Sequence, residues 1–288
     1  MTNHLLGKMM IGTAQFGLDY GVNTSTAKKV TQADCNEILD MAVANGIALL
    51  DTAEAYGDAI EKISNYQREN TFRFEVISKF LSPENIIQPL TDSLKRMSID
   101  RYHTILAHKS QDLFFNADVQ RDLTDMKESG LTRYIGVSIY SNEEFRQSIE
   151  SKYVDVIQFP FNLLDNMQQR GELMRQAKDA GKILHARSVY LQGMFLKEFP
   201  LPEKLRPLEV YLQKLKTLSQ ENDMTMTSLC LEYVFNNDLI DAVTVGQHKP
   251  SQVAGNIELI RKFKGGEYLK AVDDINVKEI ELLSPRNW

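Results

Sequence analysis

Short runs of aliphatic and β-branched residues recur along the chain and alternate with longer stretches whose apolar positions lie three and four apart. KMMIGT, GIALLD, FEVISK, TILAH, RYIGVS, VDVIQF, KILHARS and AVTVG read in turn as eight strands. Helix signals separate them. Thr31 with Asp34 forms a capping-box-like start for a helix that Gly46 stops, and a short helix is expected through Ile60–Tyr66. Ser82 and Pro83 read as start signals for the next helix, with Pro89 forcing a kink or a late start. Further helices are expected over Asp118–Ser129, from the capping pair Ser141 and Glu144, over GELMRQAKDAG, and around Leu208–Glu221 and Thr227–Asn236. KPSQVAGNIELIRKF follows the eighth strand, and NVKEIELL reads as an extra C-terminal helix.

Strands this continuously apolar belong to a parallel sheet buried on both faces, and eight of them can close. The expectation is therefore α/β: a single (β/α)8 TIM barrel over residues 1–288 with an extra C-terminal helix. No linker, low-complexity run or charge block marks a boundary.

Composition narrows the function classes. A hydrophobic content of 43% and charged content of 25% are those of an ordinary globular protein with a large core. The net charge of −6, without a dense Lys/Arg cluster, argues against nucleic acid as a partner. No apolar stretch approaches the roughly 20 residues of a membrane span, and the N-terminus is too weakly apolar for a signal peptide, so a cytoplasmic location is expected. Cys35 and Cys230 lie far apart without a CxxC or a nearby histidine pair, and are expected reduced and packed.

The polar residues at the ends of the runs carry the chemistry. Asp51 ends GIALLD, Tyr56 follows in DTAEAYG, Lys79 ends FEVISK and His108 ends TILAH. The steps from Asp51 to Lys79, His108 and Ser138 are 28, 29 and 30 residues, one βα unit each. Asp51, Lys79 and His108 then share the C-terminal rim, where barrel active sites lie. A phenol at its free pKa of about 10 is a poor acid–base catalyst at neutral pH, and a neighbouring ammonium favours its ionised form. A carboxylate keeps that ammonium charged, and an imidazole can aim a carbonyl. Singly, each has a plain structural reading: a helix cap for Asp51, packing for Tyr56, solvation for Lys79, and a satisfied structural role for either His103 or His108. The set of four on one rim favours catalysis, with no metal required.

DTAEAYG, the lysine of VISKF and the histidine of ILAHKS resemble the Asp–Tyr–Lys–His tetrad of the aldo-keto reductases. The likeness continues through MIGTAQFGLDYG, IGVSIYS, VIQFPFNLL, ARSVYLQGM and VGQHKPSQVAGNIE. The resemblance implies NAD(P)H-dependent reduction of an aldehyde or ketone, sugar-like compounds included, with Tyr56 as general acid, Lys79 and Asp51 tuning it, and His108 orienting the carbonyl. It further implies Ser138 and Gln158 at the nicotinamide carboxamide, Thr13 at the nicotinamide ribose, and Arg187 where an aromatic usually stacks on the ring. Ser188, Leu191 and Gly193 would follow the pyrophosphate. Gly246, His248, Gln252 and Asn256 would grip the adenosine end.

Three residues depart from the family pattern: Ile139 where an Asn often follows the serine, Arg187, and Gly255 in place of a Glu beside Asn256. Lys249, His248 and Gln252 are the candidates for a 2′-phosphate, with NADPH the expected cofactor and NADH the alternative. Tyr20, Phe80, Phe114, Phe161 and Tyr190 are pocket or core candidates, and the terminal Trp288 is expected to hang loose. The partner implied is a small carbonyl compound, with oligomeric state left open. A second reading is a cofactor-bound regulatory protein with slow or no turnover, resembling the potassium-channel β-subunits. A third, a metal-dependent hydrolase, fares poorly, because the rim offers too few His and Asp ligands.

Overall fold

The computed structural model describes residues 2–19 and 29–288. Tyr20 lies outside the described residues. Eight parallel strands, β1 (Met9–Gly12), β2 (Leu49–Asp51), β3 (Glu75–Phe80), β4 (Tyr102–Ala107), β5 (Thr132–Ser138), β6 (Val156–Pro160), β7 (Ile183–Arg187) and β8 (Ala242–Gly246), close in sequence order. β1 pairs with β2 through Gly12 and Asp51 and with β8 through Gly12 and Gly246. The expected (β/α)8 barrel is the observed one.

The period of two along each strand divides the core into two layers. Ile11, Leu50, Val76, Ile105, Val137, Ile157, Leu184 and Val243 belong to the large cluster between barrel and helices. Met10, Leu49, Ile77, Leu106, Tyr134, Val156, Ile183 and Ala242, one from each strand, form a second cluster that fills the lumen. Two positions farther along the same inward row come Asp51, Lys79, His108, Gln158 and Thr244. Strand parity alone therefore places these polar groups as the layer above an apolar plug.

Local signals explain several helix starts. Thr31 accepts from the Asp34 amide ahead of the helix Gln32–Ala44, and Ser141 and Glu144 form a full capping box for Asn142–Glu150. Asn116 and Asn166 cap Ala117–Glu128 and Met167–Asp179. The helix Ile87–Met97 starts late, five residues past Ser82, because Pro89 fits only within a first turn. Helices Glu209–Glu221 and Met226–Phe235 fill the connection between β7 and β8, and Pro250–Lys262 follows β8.

The C-terminal segment differs in detail from its sequence pattern. Its extra helix is Tyr268–Asp273, whereas NVKEIELL gives only a 3₁₀ turn at Ile280–Leu283. Leu282 and Leu283 are both buried while Ile280 is exposed. The Asn166 amide holds the segment by donating to the carbonyls of Val272 (2.8 Å) and Ile275 (3.0 Å). Trp288 does not hang loose: its indole N–H donates to the Leu282 carbonyl at 2.8 Å, and the ring packs on the core.

Candidate active site

Asp51 and Lys79 form an ion pair on adjacent strands, both almost wholly buried. The Lys79 ammonium also donates to the Thr52 carbonyl at 3.1 Å. The second Asp51 oxygen accepts from Gln158 Nε2 (3.0 Å) and Thr244 Oγ1 (2.8 Å). A buried carboxylate with this many donors is held immobile. Burial by itself would lower the Lys79 pKa, but the Asp51 charge and the Tyr56 phenol outweigh it and the pKa is raised. Lys79 is thus a permanent cation.

Tyr56 stands against that cation, with the ammonium 5.4 Å from its ring centroid. His108 meets the Tyr56 ring edge-to-face, centroids 6.3 Å apart at 89°. Burial, then the positive charges of Lys79, Arg187 and Arg286, push the His108 pKa down to about 4. The imidazole is therefore neutral at physiological pH, able to donate one hydrogen bond without carrying charge. Its Nδ1 is buried and has no protein partner.

The loop bearing Tyr56 is fixed by backbone contact. A Cβ on Gly17 would sit 1.7 Å from the Tyr56 carbonyl oxygen, and one on Gly57, at φ +52°, would sit 2.4 Å from the Gly17 carbonyl oxygen. Only glycine permits that approach. Beside it, buried Lys62 donates to the Phe16 carbonyl at 2.6 Å and pairs with Asp58. The loop after β1 and the loop after β2 are thereby locked together beneath the phenol.

The structure brings the four tetrad residues together. Of the two histidines near β4, His103 sits at the strand's opening end against Thr104 and Glu75, away from the rim. Thr13 is wholly buried, and its hydroxyl donates to the Asp51 carbonyl at 3.0 Å. Ser138 pairs in register with Gln158, whose Oε1 is buried without a partner. Such an orphaned acceptor suits an amide N–H₂, so the residues present fit a nicotinamide carboxamide. Arg187 donates to the Ile139 carbonyl (2.9 Å) and Ser188 Oγ (3.2 Å), and stacks on Tyr140, 4.1 Å from its centroid.

After β7 the backbone takes left-handed conformations at Ser188, Leu191, Gln192 and Gly193, a concentration of strain typical of ligand-holding loops. Leu191 turns its side chain into the core, so only its backbone is available there. After β8, Gln252 accepts from the His248 amide at 2.8 Å, and Asn256 accepts from the Tyr190 hydroxyl at 2.9 Å. A Cβ on Gly246 would meet the Gln15 side-chain amide at 2.6 Å. Buried Gln247 Nε2 and His248 Nδ1 have no protein partner.

Phe80 and Phe161 belong to the core and not to the mouth. Sequence reasoning missed Thr244, Lys62 and Gly17. Thr244 was findable from its parity with Gly246, whereas the other two leave no local signal. Among the described residues no three His, Cys, Asp or Glu side chains gather to hold a metal ion. Cys35 and Cys230 are free and buried, with burial raising the Cys35 thiol to about 12. No helix among the described residues is long and apolar enough to cross a membrane.

Comparison with known proteins agrees with the geometry. The model of the Aldo/keto reductase family matches residues 8–276. An NADH-specific methylglyoxal reductase of Escherichia coli is 23% identical, with 89% of this chain and 90% of that protein covered. A putative voltage-gated potassium channel subunit beta of Schizosaccharomyces pombe is 24% identical over 80% of each. The solved aldo-keto reductase AKR11C1 from Bacillus halodurans, in its holo form, superposes with a TM-score of 0.75 at 18% identity, covering 94% of both chains. With a barrel closed in the same way and a family match over nearly its whole length, the chain belongs to the aldo/keto reductase family.

Proposed function

We propose that the protein reduces the carbonyl group of a small aldehyde or ketone with a reduced nicotinamide dinucleotide, Tyr56 supplying the proton. The buried Lys79–Asp51 pair carries this reading, because it holds a fixed positive charge against the Tyr56 ring with neutral His108 at the ring's edge. Ser138 and Gln158 would hold the carboxamide, with Thr13 beside the ribose. Arg187 would lie at the nicotinamide ring, Ser188 to Gly193 along the pyrophosphate, and Gly246, His248, Gln252 and Asn256 at the adenosine end. When bound, the cofactor supplies a hydride to the carbonyl carbon.

The residues do the rest. His108 donates a hydrogen bond that aims the carbonyl oxygen at the Tyr56 hydroxyl. As negative charge grows on that oxygen, Tyr56 gives up its proton, and the adjacent Lys79 ammonium stabilises the phenolate that forms. Asp51 keeps Lys79 charged and still, and Gln158 and Thr244 keep Asp51 in place. Lys249, just ahead of the helix Pro250–Lys262, supports the 2′-phosphate form, NADPH, since a helix N-terminus favours an anion. The methylglyoxal reductase relative is NADH-specific by name, so NADH is the competing form.

Titrating both cofactors against protein fluorescence, then following loss of reduced nicotinamide with a panel of aldehydes and ketones, tests the proposal. Tight binding of either form with turnover of a carbonyl supports it. Tight binding without turnover of any carbonyl would favour the second reading, a cofactor-bound regulatory protein like the channel-subunit relative.

A further inference from the structure

Two guanidinium groups converge on one aromatic ring at the mouth of this site. The Arg187 and Arg286 carbons lie 4.1 and 3.7 Å from the centroid of Tyr140. They arrive from distant parts of the chain, Arg187 at the end of β7 and Arg286 from the C-terminal segment. Each is placed deliberately. The Tyr140 amide donates to Glu144 at 2.9 Å, and its carbonyl accepts from buried Arg170 at 2.5 Å. Arg187 is tied to Ile139 and Ser188 as described. The C-terminal segment is pinned by Asn166, by Gln169 donating to the Val277 carbonyl (3.0 Å), and by the Trp288 indole.

Two positive charges share this one ring, and a negative counter-charge would balance them. None comes from the protein: no ion pair among the described residues includes Arg187 or Arg286. The Glu144 carboxylate is taken up by Ser110 and by the amides of Tyr140 and Ser141, and Asp51 by Lys79, Gln158 and Thr244. The chain is acidic overall, yet at this point it is locally cationic. Both arginines lie near enough to His108 for their charges to oppose its protonation, though burial alone is the larger cause of its neutrality.

We propose that the carbonyl substrate carries an oxyanion, a carboxylate or a phosphate, bound by Arg286 together with Arg187 at Tyr140. Guanidinium groups recognise both anions through paired N–H donors, which an ammonium cannot match. The inference rests on the reductase reading of the site. Arg187 adjoins Ser188 and also lies close to where a cofactor would run, whereas Arg286 comes from the tail and belongs to the substrate side. Arg286 is therefore the specificity-determining residue.

The test compares the full chain with Arg286→Gln and Arg286→Lys on matched pairs: glyceraldehyde with glyceraldehyde 3-phosphate, and benzaldehyde with para-carboxybenzaldehyde. The wild type should favour the charged member of at least one pair by about tenfold or more in kcat/KM, and whichever pair responds identifies phosphate or carboxylate. Arg286→Gln should erase that preference through KM, leaving kcat and the neutral member within about twofold, and Arg286→Lys should restore part of it. Equal use of charged and neutral members by the wild type, or a loss shared equally by both in the variant, overturns the proposal. So does a weakened cofactor Kd in Arg286→Gln, which would assign the charge to the dinucleotide.

If no carbonyl is reduced, the reductase reading has failed, and binding of glycerol 3-phosphate and para-hydroxymethylbenzoate by calorimetry tests the anion site separately. Binding that is weakened about tenfold by Arg286→Gln upholds it. Failure of both anions to bind the wild type, or equal binding to both proteins, overturns it.

Discussion

Gly17→Ala perturbs the proposed acid without touching it. The added Cβ would stand 1.7 Å from the Tyr56 carbonyl oxygen and 2.8 Å from the Ala59 amide nitrogen, and both neighbours are backbone. Neither can rotate away, so the loop after β1 and the Tyr56 loop must part by more than an ångström. Overpacking of this kind costs about 1–3 kcal/mol, which in a domain of this size lowers Tm by a few degrees and leaves it folded. The catalytic effect should be larger in proportion. A displacement of about 1 Å in a reacting group can cost ~10²-fold, so kcat should fall by about that factor. Gly7→Ala is the control, since Gly7 is exposed and a Cβ there meets nothing within 4 Å. Stopped-flow or steady-state loss of reduced nicotinamide, measured with a carbonyl the wild type turns over, gives kcat, and circular dichroism confirms the fold. A Gly17→Ala protein with kcat within twofold of the control would refute the argument that this contact positions Tyr56.

Lys79→Met leaves Asp51 buried beside two neutral donors and no cation. Breaking a buried pair costs about 3–5 kcal/mol, so the urea midpoint should drop accordingly, and a loss below ~1 kcal/mol would show that the pair contributes little. Half-buried His108 and buried His185 set an acid limit. His108 and His185 both have pKa values lowered to about 4, so the unfolded chain binds more protons between that value and about 6.5. Their contribution is complete above about pH 6.5 and is lost as the pH falls towards 4. Denaturant curves at stepped pH should show His108→Gln and His185→Gln each flattening that decline, and an unchanged slope in both would contradict the assignment.

Much of this was readable from the chain, for identifiable reasons. Parallel strands buried on both faces leave short uninterrupted apolar runs, and a polar residue ending each run has few places to go but the rim. That is why Asp51, Lys79 and His108 could be placed together from spacing. The Ser141–Glu144 box and the Thr31 cap were legible because capping is local chemistry. What the sequence concealed was long-range. NVKEIELL has a helical pattern, yet it forms only a 3₁₀ turn at Ile280–Leu283, in a tail that distant Asn166 anchors at Val272 and Ile275. The need for glycine at Gly17 comes from a loop about forty residues away in sequence. The meeting of Arg286 with Tyr140 depends on how the tail is tethered, which no spacing rule encodes.

The central claim is that the Tyr56 hydroxyl delivers the proton during carbonyl reduction at a site that binds the dinucleotide independently of that hydroxyl. Comparing Tyr56→Phe with the wild type in one experiment, kcat by nicotinamide absorbance and cofactor Kd by fluorescence, tests it most directly. The account predicts kcat lowered by about 10²–10⁴-fold with Kd held within about twofold. Retention of kcat within tenfold would contradict it, as the proton would then have another source.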